Sequence, residues 1–217
     1  MRKLSSKAQS ELISKITILM IMLALSGFAY KWGSDMMEAQ GVRTEAEGMT
    51  PKLLELRSKI VEVANAGNSS ARFIDISLNH GTFTITPGEA CTGTDLANNT
   101  IIYKVSARDF LVQADSWSLA DSENRNMLCN TWYENSSSGV IINRKFNSTD
   151  SKESQYALWF RHLNDTDSGR IYLINLTTGG RNEPLQFSEG NHQLRIESGG
   201  TYEVGDYVYT RVMVSEV

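Results

Sequence analysis

The sequence predicts an α+β protein, with one long N-terminal hydrophobic helix followed by a mostly antiparallel β-sandwich domain. Three observations predict it. Ile16 to Tyr30 carries no charge. In Pro51 to Gly67 the apolar residues recur at helical spacing. From Arg72 onward the apolar period drops to two.

The apolar run comes first. At 1.5 Å per residue, Ile16–Tyr30 spans about 22 Å, short of a ~30 Å hydrocarbon core. Lys15 and Lys31 can lay their aliphatic stems in the apolar zone, which stretches the span to Leu12–Trp32 and roughly 31 Å. Tyr30 and Trp32 suit an interfacial belt. Arg2, Lys3, Lys7 and Lys15 precede the run, so the N-terminus is expected on the cytoplasmic side and the rest of the chain outside. Residues 9–40 are read as one hydrophobic transmembrane or filament-core helix.

Residues 41–67 are read as a hinge followed by an amphipathic helix. Ser34 to Thr50 is polar and interrupted by Gly41 and Gly48, the pattern of a frayed helix end or a hinge. Thr50–Pro51 is a helix start, with Thr as N-cap and Pro in the first turn. Leu53, Leu56, Ile60 and Ala64, flanked by Leu54 and Val61, form one stripe, and Gly67 can end the helix. The stripe fits docking on a sheet; a partner helix is the alternative.

Residues 68–217 are read as the β-sandwich, outside the cell. In "RFIDISL" Ile74, Ile76 and Leu78 share a face, and Asn79–Gly81 turns into "TFTIT" as a hairpin. Further strands are expected in "TIIYKVS", "RDFLVQA", "GVIINR", "YALWFRH", "RIYLINL", "HQLRIES" and "DYVYTRVMV", making eight or nine in all. Trp117, Trp132 and Trp159 fit either sheet core or a sugar-stacking platform.

Composition narrows the function. The 217-residue chain carries a net charge of -4, with no basic face for nucleic acid. His80, His162 and His192 belong to no metal or triad motif, so an enzyme, a metal site and a cofactor are not expected. Cys91 and Cys129 form an even pair in a domain expected outside the cell, which suggests a disulfide; two buried thiols are the alternative. Asn-x-Ser/Thr triplets begin at Asn68, Asn98, Asn135, Asn147, Asn164 and Asn175, and mark candidate glycosylation sites, with Asn135 and Asn147 in the most loop-like surroundings.

Two readings of the N-terminus compete. "ALS", Ala24–Ser26, has the form of a conventional signal-peptide cleavage site, but no polar segment follows the apolar run. Alternatively, "SSKA-QSE" sets Lys7 and Ala8, then Gln9, Ser10 and Glu11, directly ahead of the long apolar helix. This arrangement resembles the class III signal peptide of archaeal type IV pilin-like proteins. The resemblance covers about the first thirty residues. It implies that residues 1–8 are a leader, cut by a prepilin peptidase between Ala8 and Gln9, and that the apolar helix stays on the product. It further implies a membrane-anchored precursor, an extracellular filament of identical subunits, and pilus assembly machinery as partner. In bacterial type IV pilins the acidic residue is fifth after the cut; here Glu11 is third.

An apolar helix drawn out of lipid must be covered again, and packing on its own kind does that. Leu19, mid-run, is then an assembly residue. Glu11 and Lys15 stand four apart on one face, where they can pair as they enter a bundle or simply lie at the headgroups. The expected function is a structural filament subunit. The alternatives are a non-polymerising membrane-anchored accessory protein, such as an archaellum stator component or minor pseudopilin, and a secreted binding module or enzyme.

Overall fold

The computed structural model describes residues 6–88, 98–107, 114–120, 138–147, 152–179 and 183–217; the side chains of 6–9, 107, 114–115 and 145–147 lie outside that description. The chain divides into two compact units, Met1–Gly41 and Val42–Val217.

One helix, α1 (Ser6–Ala66), runs 61 residues without a break in its assignment. It ends where Gly67 takes a φ of 79°, a left-handed conformation that glycine adopts at least cost. The Ser70 hydroxyl caps that end, donating to the Val63 and Gly67 carbonyls at 3.0 Å each. The expected fraying across Ser34–Thr50 and fresh start at Thr50–Pro51 are not seen. The helix continues through Gly41, Gly48 and Pro51.

Burial is the reason. Val42, Ala46, Met49, Leu53, Leu56, Ile60 and Val63 follow one another at spacings of four and three, and none is more than 5% exposed. Burying a large apolar side chain is worth about 1.5–3 kcal/mol. Summed along the stripe, that exceeds the cost of about 1 kcal/mol for a helical Gly and about 3 kcal/mol for Pro. Leu54, Val61 and Ala64 pack beside the stripe, half-buried.

Eleven strands follow among the described residues: β1 (Ala71–Leu78), β2 (Thr82–Thr86), β3 (Thr100–Ala107), β4 (Ala114–Leu119), β5 (Gly139–Asn147), β6 (Lys152–Phe160), β7 (Leu163–Asp165), β8 (Arg170–Thr178), β9 (Leu185–Phe187), β10 (Gly190–Val204) and β11 (Tyr207–Glu216). They form two sheets, ordered β1-β10-β11-β8-β7 and β4-β5-β6-β3-β2-β9. All pairings are antiparallel except β8 with β11, which run parallel. The chain is therefore α+β, with a long apolar helix and a strand-rich domain.

The expected β1–β2 hairpin does not form. β1 pairs with β10 in the first sheet, while β2 pairs with β3 and β9 in the second. The Asn79–Gly81 turn carries the chain between sheets. Gly81 has a φ of 81°, and a Cβ there would come within 2.4 Å of the Lys104 carbonyl oxygen on β3. The Tyr103 hydroxyl donates to the His80 carbonyl at 3.1 Å, and the backbone N–H of Asn79 donates to Glu45 of the helix at 2.9 Å. Three neighbours thus hold a crossing, not a tight turn. Of "RDFLVQA", residues 108–113 lie outside the described residues; a strand, β4, occupies the next six.

One core draws on all three elements: the helix stripe, Ile74, Ile76, Leu194, Ile196, Leu176 and Val212 from the first sheet, and Phe83, Ile85, Ile101, Tyr103, Leu158 and Phe160 from the second. The opposite face of β5 and β6 carries its own apolar cluster, Val140, Ile142, Ala157 and Trp159, with Trp117 beside it. Every residue of β6 after Lys152 is buried, so this strand is covered on both faces.

Asn99 joins the two sheets. It is fully buried with a φ of 57°. Its Nδ2 donates to the carbonyls of Phe160 at 2.9 Å and Ile174 at 2.7 Å, and its Oδ1 accepts from the Leu176 N–H at 2.8 Å. β6 ends at Phe160, and Ile174 and Leu176 lie in β8, so one amide ties a strand of each sheet.

Candidate assembly segment

Within the first unit the helix is apolar on every side between Leu12 and Trp32. Leu12, Ile13, Ile16, Ile18, Leu19, Met20, Ile21, Leu23 and Leu25 are each roughly half exposed or more, and Phe28, Tyr30, Trp32 and Met37 exceed 70%. An 18-residue window near the N-terminus reaches a mean hydropathy of 2.0 with none of it buried. The helix is long and apolar enough to cross a membrane. An exposed apolar surface of this length drives itself into lipid or against other apolar surfaces, at about 25 cal/mol per Å² removed from water.

The few polar groups in the run are prepared for such surroundings. The Thr17 hydroxyl donates to the Ile13 carbonyl at 2.9 Å, and Ser26 to Met22 at 2.8 Å. Each hydroxyl is satisfied by the helix's own backbone four residues back, which lowers the cost of leaving water. Glu11 and Lys15 face each other at 3.8 Å, with both side chains largely exposed. In water such a pair contributes a few tenths of a kcal/mol at most. Leu19 is 59% exposed. Ala8 and Gln9 lie inside the helix, within its first turn from Ser6.

The other residues singled out in the sequence are dispersed. Cys91, Cys129, Trp132 and Asn135 lie outside the described residues, as does the side chain of Asn147 at the end of β5. Trp159 is 4% exposed and Trp117 lies half-buried beside it with the Arg144 guanidinium 4.5 Å from its ring centre, so both belong to sheet packing. His80 is half-buried at the crossing turn and His162 is buried. His192 bonds Glu216 through Nδ1 at 2.5 Å and the Ser188 carbonyl through Nε2 at 2.8 Å. The hydrogen bond to Glu216 lifts its pKa above the ordinary histidine range, against a smaller opposing effect of burial. Among the described residues no three His, Cys, Asp or Glu side chains gather to hold a metal.

Two features have no counterpart in the sequence reading. One is the Asn99 clasp. The other is an aromatic column on the face of the first sheet turned away from the core. Arg211 lies 5.1 Å above the Tyr202 ring, Tyr202 stacks on Tyr209 at 5.0 Å, Tyr209 on Tyr207 at 5.9 Å, and His162 meets Tyr207 edge-on at 5.5 Å. The period-two pattern of "YVYTR" places Tyr207, Tyr209 and Arg211 on one face. Tyr202 joins them only because the β10–β11 register shifts between Ser198 and Thr201.

No protein-family model, curated protein or solved structure matches the chain.

Proposed function

We propose that this chain is the structural subunit of an archaeal type IV pilus-like extracellular filament, anchored in the membrane before assembly and polymerising through its N-terminal helix. The observation that carries this reading is the contrast along α1. Residues 12–37 expose apolar side chains on all sides, while from Val42 onward the helix buries a single stripe in its own domain. The strand-rich unit covers its own apolar faces; the first unit has no cover of its own in the described chain. Lipid supplies that cover before assembly and neighbouring copies supply it afterwards.

In this reading residues 1–8 are a leader removed between Ala8 and Gln9, and the two sheets form a β-sandwich displayed on the outside of the cell. Their shared core and the Asn99 clasp support the sandwich. Cys91 and Cys129 form its disulfide and some of the sequons carry its glycans. The partners are further copies of the chain, the prepilin peptidase and the assembly machinery.

The test removes residues 1–33 and follows both halves of the claim. The remainder is expected to be a soluble, folded monomer that forms no filaments, while the native chain does so by electron microscopy. Filaments from the truncated protein would move assembly into the β domain and sink the reading. A native chain that is membrane-anchored but found only as single copies would replace it with the anchored accessory protein.

A further inference from the structure

The described sequons are not equivalent once folded. N-linked transfer needs the asparagine Nδ2 free to attack and the Ser/Thr hydroxyl two residues on within the enzyme's reach. Asn175 lies within β8, in register with Arg211 of β11, and its Nδ2 donates to the Tyr202 hydroxyl at 3.2 Å. Asn98 is exposed, but its partner Thr100 is fully buried. Asn68 is exposed, but the Ser70 hydroxyl of its sequon is committed to capping α1. A Cβ at Gly200 would also come within 2.8 Å of the Asn68 Oδ1, so that side chain rests against backbone.

Asn164 differs on each count. It sits in β7, a three-residue strand at the sheet edge, and is half-buried with no side-chain hydrogen bond to the described residues. Thr166 is exposed in the turn that follows. The turn holds its shape without either group: Asp165 accepts from the Asp167 N–H at 3.1 Å and from the Ser168 hydroxyl at 2.6 Å.

We propose that, of the four described sequons, Asn164 is the one glycosylated by a transferase that meets the folded domain, and that Asn68, Asn98 and Asn175 stay bare. The proposal rests on the reading of the domain as exported. The donor is a lipid-linked sugar phosphate. Asn164 Nδ2 attacks the sugar's anomeric carbon, the new C–N bond replaces the C–O bond to phosphate, the lipid phosphate leaves with that electron pair, and the amide proton passes to a carboxylate of the transferase. The register pairs Asn164 with Ile171 and Ile171 with Tyr207. The first sugars would therefore stand about 10 Å, two strand spacings, from the Tyr207 end of the aromatic column. They would also shield an unpaired sheet edge from another chain.

The experiment is glycopeptide mass spectrometry on the full-length chain from its native membranes, with protease accessibility on intact cells as a separate readout of export. Sugar at Asn164 and none at Asn68, Asn98 or Asn175 is the expected result. Asn164→Gln and Thr166→Ala should each remove that mass with the melting temperature of the β domain unchanged. Bare Asn164, or sugar at Asn68, Asn98 or Asn175, overturns the assignment. If accessibility shows the domain outside while Asn164 is bare, only this assignment fails; if the domain is inaccessible, the export reading fails with it.

Discussion

Asn99 donates to the carbonyl of Ile174 at 2.7 Å, linking the entrance of β3 in one sheet to the middle of β8 in the other. Two further bonds, to Phe160 and Leu176, complete the clasp. Asn99→Ala leaves two carbonyls and one N–H buried without their partner and puts a Cβ-bearing, non-amide residue at a φ of 57°. Each unmet buried group costs about 1–3 kcal/mol. The expected loss is about 3 kcal/mol or more, read as a fall in denaturation midpoint. Asn99→Asp keeps the acceptor for Leu176 but sets an oxygen against two carbonyls, and should be no better. A loss under about 0.5 kcal/mol in both variants would remove the clasp from the account.

The same helix should respond oppositely to the same change at two places. Leu53 is fully buried and Leu23 is 65% exposed. Leu53→Ala is expected to destabilise the β-rich unit by about 2–5 kcal/mol through the cavity it leaves. Leu23→Ala should leave that melt unchanged within about 0.5 kcal/mol and weaken membrane or filament association instead. Equal effects on the melt would mean that residue 23 is covered by its own domain.

Leu19→Lys places an unpaired cation in the middle of the apolar run, where Lys15 has Glu11 at 3.8 Å and the new charge has no acid one turn away. An uncompensated charge buried among apolar helices costs several kcal/mol. Filament yield should collapse while circular dichroism of the β domain stays native. The opposite charge, brought in by Leu23→Glu, which has no basic residue one turn away, should fail in the same way, which separates charge burial from a change in net charge.

His192 should make the domain's stability depend on pH. Its pKa is raised in the fold, chiefly by the hydrogen bond to Glu216, and the groups around it are the Ser188 carbonyl, the Phe187 ring at 4.5 Å and Gly190. A raised folded value means that the stabilisation is fully present below the ordinary histidine value of about 6.5 and is lost as pH rises through the folded value. Denaturant midpoints should therefore fall as pH rises above the ordinary histidine value of about 6.5. His192→Gln, which cannot protonate, should flatten that slope; an unchanged slope would assign it to other groups.

Local pattern was enough for much of this protein. The uncharged residues between Lys15 and Lys31 make a helix apolar all round in any context, because at 3.6 residues per turn such a run reaches every face. Strict alternation in "RFIDISL" and "YVYTRVMV" assigns core and outer faces, because side chains of a strand alternate by geometry. Those signals needed no partner to be read. What they could not show depends on residues far apart in the chain. Gly41, Gly48 and Pro51 read as helix breaks because propensity is local, and the helix runs through them because Val42, Ala46 and Met49 are buried against strands that come later. The Asn79–Gly81 turn reads as a hairpin because turn chemistry is local, and it crosses between sheets because β10 and β3 claim the flanking strands. Asn99 lies 75 residues from Ile174, and only packing makes them neighbours. Spacing along the chain sets where apolar surface lies; packing sets which of that surface is covered, because burial is a property of contacts and not of spacing.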